Sequence, residues 1–492
     1  MLTFLFRGSK IQPFILIFCG VVAAVGITFA FVSCGGNVAV MSSNGTGTII
    51  VHLTDPPSCA FPNGNIEHVY VSIRSVQAHT SDTATDSTPG WQELVPQLNT
   101  MPMQIDLFGA GTNACLLAAL GSNTSLPVGT YQQIRLLLVA NDGGGGPVPA
   151  TNACGNNGFN CVVFHDGSVH EIDLSSQANT GLKIPPGQVV GGPITVSAGQ
   201  SVDLNIDFNT CASLLQEGNG RFRLKPVLTA GQVSTNNTGI SGQVVDAMTK
   251  MPIAGGTALV ALEQNTAGTD VIFRQAAADS SGNFNFCPLP AGATFDVVVV
   301  AINCAGVAYN ATIAANVPGG TNLGAIPLNP ETGGTSTSPA TFQGFVTATT
   351  GSAGASVDVS VSALQSVMVN GAPVLVAIPA EGASTPLVSV QSNTTCPVGA
   401  PPNSNCAQYT LIEPASDPSV GVFAAGKISY SVPASGDVLY TIGANAAMPN
   451  DGGTPDCMAP SMTTSQDSSN NSLKATAGAT TVPQRIDFSG CT

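Results

Sequence analysis

All five histidines of the 492-residue chain, His52, His68, His79, His165 and His170, fall within its first 170 residues. Imidazole is the side chain best suited to ligate zinc or to move protons near neutral pH. Their spacing does not build a site. His170-Glu171 begins like the His-Glu-x-x-His helix of zinc proteases, but position 174 is Leu174 and the segment alternates like a strand. Asp203 and Asp207 share the polar face of another alternating segment, with Asp55, Asp106 and Asp173 on others, and oxygen-rich β surfaces can hold calcium. Positions i and i+4 of a strand lie about 13 Å apart at ~3.3 Å per residue, too far for one ion to bridge. These carboxylates are expected to be solvated on an open sheet face, and no metal or cofactor is expected. A Gly-x-Ser-x-Gly elbow is absent and the eight glutamates are scattered singly, so no catalytic residue is assigned and the chain is not expected to be an enzyme. The single tryptophan, Trp91, is the one candidate platform for stacking a sugar, set against the alternative that a strand tryptophan belongs to the core.

Thirteen cysteines are the next candidates. No C-x-x-C pair occurs, so disulfides explain them better than zinc. Setting aside Cys19 and Cys34 leaves three groups: Cys59, Cys115, Cys154, Cys161 and Cys211; Cys287 and Cys304; and Cys396, Cys406, Cys457 and Cys491. Bridges are expected within groups: Cys59 to Cys115, Cys154 to Cys161, Cys287 to Cys304, and two among the last four. Cys211, directly after the best strand, is expected to remain a buried free thiol.

Few charges surround these residues. The chain has 13 Lys+Arg against 28 Asp+Glu, and removing Arg7 and Lys10 of the N-terminal segment leaves 11 against 28. That field repels phosphate backbones, so nucleic acid is excluded as a partner. The Gly143 to Gly146 run lacks the lysine of a phosphate loop and is expected to be a flexible loop. At the N-terminus Arg7 and Lys10 precede a 19-residue apolar run from Phe14 to Val32 and then Ser33-Cys34-Gly35-Gly36. This order resembles a lipoprotein signal peptide, with Phe31 where that family usually has Leu. The resemblance implies cleavage after Ser33 and lipid on Cys34, hence a bacterial cell-envelope protein, at the outer membrane or cell surface; an uncleaved transmembrane anchor and plain secretion are the alternatives.

The elements that must position these residues read as strands. Val69, Val71 and Ile73 alternate with polar neighbours, as do Met103, Ile105 and Leu107, and Val202, Leu204, Ile206 and Phe208 interleave with Asp203, Asn205 and Asp207. Short helical turns are expected over residues 115–120 and 210–216. Polar linkers at 234–239 and 332–339 divide the chain into a tether (34–47), a first β unit (48–233), a second (239–330) and a third (341–492). The third shows period-2 strands such as Val357, Val359 and Val361, or Val374, Val376 and Ile378. The predicted class is all-β, with tandem β-sandwiches behind the signal peptide.

In the first unit, Val51-His52-Leu53-Thr54-Asp55-Pro56-Pro57, Leu126-Pro127-Val128-Gly129-Thr130-Tyr131, Gly181-Leu182-Lys183-Ile184-Pro185 and Phe222-Arg223-Leu224-Lys225-Pro226 occur in order. Together they resemble the domain of unknown function 4382 family, which implies an exported lipoprotein and no particular activity. In the second unit, Gly242-Gln243-Val244-Val245-Asp246, Pro252-Ile253-Ala254-Gly255, Asp279 to Phe286 and Leu289-Pro290-Ala291-Gly292 resemble a carboxypeptidase regulatory-like domain. That resemblance implies a seven-stranded, transthyretin-like sandwich without catalytic residues, Ser281-Gly282-Asn283 forming a hairpin turn and Phe284 and Phe286 facing one core. The function these readings imply is structural, adhesive or interaction-mediating at the envelope. Carbohydrate binding is the first alternative, an accessory subunit of a secreted complex the second; the partners would be the membrane and an unknown protein or glycan.

Overall fold

The computed structural model describes residues 45–491 except 55–65, 109–117, 175–180, 185, 191, 217–219, 226, 234–238, 254–257, 267, 288, 290–291, 304, 332–337, 351–356, 383, 391–395, 432–437, 448–460 and 464–472. The expected signal peptide, Cys34, Cys59, Cys115, Cys304, Cys457 and Asp55 therefore lie outside the described residues, as does the side chain of Cys211. Residues 44–492 form a compact unit. Among the described residues no helix is long and apolar enough to cross a membrane.

The fold is all-β and built of tandem sandwiches. In the first, a five-stranded sheet runs in the order Val189–Val190, Leu228–Gln232, Ser201–Phe208, Thr46–Thr54, Ala118–Pro127. It faces a nine-stranded sheet centred on the long strand Ile66–His79. Apolar alternation decides which side faces inward: Ile49, Val51 and Leu53 from one strand and Val202, Leu204, Ile206 and Phe208 from its parallel neighbour meet Val69, Val71 and Ile73 in one core. The helix expected over 210–216 shrinks to Thr210–Ser213, followed by the strand Leu214–Gln216. The turn expected near 115–120 is strand from Ala118 onward, because those residues pair with Thr46–Thr54.

Between Ile240 and Leu328 the described residues form seven strands. Three (Asn283–Phe286, Ile240–Asp246, Asn322–Leu328) form one sheet, and four (Thr312–Pro318, Thr294–Ala301, Ala258–Thr266, Thr269–Ala277) lie side by side in another. Gly282 takes φ +73° in the hairpin, where a Cβ would stand 2.5 Å from the Val244 carbonyl oxygen, and Phe284 and Phe286 are buried in the same core.

The four-stranded layer does not end with the second unit. Ser419–Val422 adds in parallel to Thr312–Pro318 at one side, and Ala372–Ile378 continues from Thr269–Ala277 at the other, leading into Val357–Val369 and Thr441–Ala447. Val297, Val299 and Ala301 enter the second unit's core, whereas Val298 and Val300 enter the core shared with Phe342, Val346 and Val359 of the third. The unbroken apolar run Val297 to Ala301 follows from burial on both faces. A second sheet of the third unit, Asn405–Glu413, Ala340–Thr350, Thr480–Thr481 and Ile486–Cys491, closes that core.

Candidate functional site

The polar face of Ser201–Phe208 is where sequence expectation and structure part. Thr54 lies opposite Asp207 and His52 opposite Asn205 in the parallel register, so these groups form one polar stripe. It is not open to solvent. Arg274 of the second unit reaches into it, its Nε 2.9 Å from Asp207 Oδ1, with both side chains almost fully buried. The Thr54 hydroxyl donates to Asp207 Oδ1 at 3.0 Å and accepts from Asn205 Nδ2 at 2.9 Å and Arg274 Nη2 at 3.2 Å. Asp207 is thus a buried, ion-paired carboxylate rather than a solvated one. Period-2 alternation reports which face is polar, but not that another unit's cation covers it. Asp203, half-buried, instead meets His52 Nε2 at 2.8 Å. A cavity lined by Asn205, Thr229, Gln232, Phe273, Arg274 and Leu289 opens beside the junction.

A second buried pair fixes the opposite sheet. Arg223 donates through Nη1 to Asp358 Oδ2 at 2.6 Å and through Nη2 to Asp358 Oδ1 and to the Ser389 hydroxyl, forming a two-pronged contact between the first and third units. Lys225, two residues on, reaches the Ser360 hydroxyl at 2.5 Å. Burial pushes the Lys225 ammonium down to about 8, against the pull of Asp358. Burial also pushes the Asp207 carboxyl up, against the pull of Arg274. Arg223, Arg274 and Asp358 were missed from sequence as functional residues. The available signal was scarcity: with 13 Lys+Arg in 492 residues, an arginine inside an apolar strand is an exception that calls for a partner.

Trp91 is neither bare platform nor core. It is half-buried, one ring face lies 4.0 Å from the Arg135 guanidinium carbon, its edge packs on His79, and its indole N–H donates to the Thr85 carbonyl at 3.1 Å. Asp86 in the same loop pairs with Lys183 at 2.9 Å. Trp91 therefore pins the 80–91 loop onto the sheet. His79 Nδ1 accepts from the Ser81 amide at 2.9 Å, and its Nε2 lies 3.2 Å from the Pro89 carbonyl.

The other histidines disperse. His68 meets Asp106 at 2.6 Å, His165 and His68 each lie 3.9 Å from Glu67, and His170 packs edge-on against Phe164. Asp173 lies 3.5 Å from Arg221. Among the described residues no group of three or more His, Cys, Asp or Glu side chains is arranged to hold a metal. Cys154 and Cys161 are bridged with Cα atoms 5.7 Å apart, and Cys396 and Cys406 with Cα atoms 5.5 Å apart. Cys287 and Cys491 are also disulfide-bonded.

The family model described as Domain of unknown function (DUF4382) matches residues 46–226. The first unit is thus similar to that family across the matched span. Every member of both buried pairs on the first-unit side, Asp207 and Arg223, lies inside the matched span, and both partners lie beyond it. No curated protein matches the chain. Among solved structures, a DUF3823 family protein from Bacteroides uniformis is similar at 10% identity, over 52% of this chain and 97% of that one, with a TM-score of 0.15. The shaft pilin SpaA from Lactobacillus rhamnosus GG is similar at 12% identity, over 58% and 98%, with a TM-score of 0.17. TM-scores this low fall short of a shared overall arrangement.

Proposed function

We propose that this chain is a non-enzymatic structural, adhesion or interaction protein of the bacterial cell envelope, exported and held to the membrane by lipid on Cys34. The observation that supports the reading best is the welding of the first unit to the two units behind it by the Asp207–Arg274 and Arg223–Asp358 pairs. Units joined only by linkers move independently, whereas buried, directional ion pairs fix one orientation. A fixed multi-unit β body suits a protein that holds a surface at a set distance from the membrane. Surface proteolysis of intact cells, mass spectrometry of the N-terminal peptide, and adhesion of cells with and without the gene test the proposal. Lipid on Cys34, surface cleavage and loss of adhesion are expected. A chain that retains residues 1–33 would remove the lipid anchor, and unchanged adhesion of the deleted strain would remove the adhesive role.

Carbohydrate binding is the second reading, supported by a half-exposed Trp91 with the Arg135 guanidinium over its ring. Glycan-array binding by the mature chain that is lost in Trp91→Ala would favour it. A stable protein complex recovered by pull-down without any glycan signal would favour an accessory subunit instead.

A further inference from the structure

Three of the eight glutamates converge from distant positions. Glu331 follows the last strand of the second unit, Glu381 follows Ala372–Ile378, and Glu413 ends Asn405–Glu413. Their exposures are 1%, 2% and 0%. Glu331 Oε2 and both carboxyl oxygens of Glu381 and of Glu413 have no hydrogen-bond partner. Beside them is Gln365, 2% exposed, with both amide atoms unpartnered next to the Tyr440 hydroxyl, which itself donates to the Pro414 carbonyl at 2.8 Å. Buried polar groups left without partners are rare in native proteins and call for a physical reason.

The cluster abuts the segment that ties the third unit to the second. Ala415 donates its amide to Glu331 Oε1, Asn310 Nδ2 donates to the Asp417 carbonyl at 2.9 Å, and Asn329 Nδ2 donates to the Ser419 hydroxyl at 3.1 Å. Ser419–Val422 then ladders in parallel on Thr312–Ala315.

We propose that Glu331, Glu381 and Glu413 form a proton-operated latch: while neutral they hold the 413–422 segment on the second unit, and on ionisation they expel it and uncover the edge of Thr312–Pro318.

The groups acting on these carboxyls are acids and neutral donors. Glu381 feels Glu331, Glu413 feels Glu381, and Tyr440 feels all three, while Glu331 accepts from the Ala415 amide. Asp417, on the same segment, is also raised by burial. Burial lifts Glu331 to about 7, and lifts Glu381 and Glu413 well above the usual carboxyl range, with the neighbouring glutamate adding to each. Two or three charges in this apolar space would repel one another, with no cation between them among the described residues, and the shortest escape is outward movement of the segment that follows Glu413.

Hydrogen–deuterium exchange of the full mature chain at pH 5, 7 and 9, corrected for intrinsic rates, tests the latch. Peptides covering 413–422 and 312–315 are expected to lose at least about tenfold in protection from pH 5 to 9 while 201–208 stays unchanged, and Glu381→Gln/Glu413→Gln should flatten the response. Exchange that does not change with pH, or that rises in all peptides together, overturns the proposal. So does stoichiometric calcium binding by the wild-type chain at pH 7 that Glu381→Gln abolishes, since the carboxylates would then be ionised around a cation.

Discussion

Replacing Arg274 with Met tests whether the first unit is welded to its neighbour. Among the described residues the guanidinium is the one cation paired with Asp207, and both groups are almost fully buried, so the variant strands a carboxylate beside Thr54 and Asn205. Removing one partner of a buried pair typically costs about 3–5 kcal/mol, because the remaining charge keeps its desolvation penalty. The intact pair contributes far less than that: burial raises Asp207 even with Arg274 present, so desolvation outweighs the attraction. The two statements together predict an asymmetry. Arg274→Met should destabilise by about 3–5 kcal/mol, while Asp207→Asn/Arg274→Met, which leaves no charge, should recover more than half of the loss. In calorimetry the wild-type chain should melt with the first and second units coupled, and Arg274→Met should split off an earlier transition. A single variant within about 0.5 kcal/mol of wild type, or a double variant as damaged as the single, would refute the reasoning.

Other perturbations follow from the same geometry. Cys154→Ser should cost about 2–3 kcal/mol, the lower end expected for a bridge closing so short a loop, read as a shift in denaturant midpoint. Gly282→Ala should cost about 1–3 kcal/mol by thermal melting, because the left-handed backbone and the Val244 carbonyl both oppose a Cβ. Asp270 and Glu331 are raised to about 7 by burial, so each binds its proton more tightly folded than unfolded. Their contribution is complete below the ordinary carboxyl range and is lost as pH climbs toward 7, so melting temperature should fall between pH 4 and 8, and Asp270→Asn should weaken that slope by a share of about 2–4 kcal/mol.

The strands were legible because their side chains alternate, and the hairpin at Gly282 because its residues demand one turn geometry. The sheet that joins the second and third units was not. Linkers at 234–239 and 332–339 mark boundaries along the chain, yet hydrogen bonding crosses the second of them twice, at Ser419–Val422 and at Ala372–Ile378. One clue was present: Val297 to Ala301 is apolar at every position, which a half-exposed strand cannot be.

The polar stripe teaches the converse. Asp203, Asn205 and Asp207 have the alternation of a solvated face, and at Asp203 the face does remain half-open, while four residues later it is sealed by Arg274. Composition narrows the difference. In a chain with 8% charged residues, solvation is supplied mainly by Ser, Thr and Asn, so an aspartate on a strand beside a buried threonine has little reason to be there unless it meets a cation. The cation cannot be identified from spacing, since Arg274 lies 67 positions away in another unit, but the need for one can. The same reasoning reaches Arg223 from the other sign, and both residues fall within the span of the DUF4382 match while their partners fall outside it. A domain that carries half of two buried ion pairs is shaped for attachment, and in this chain the surface it is shaped for is formed by the two units that follow it, through Arg274 of the second and Asp358 of the third.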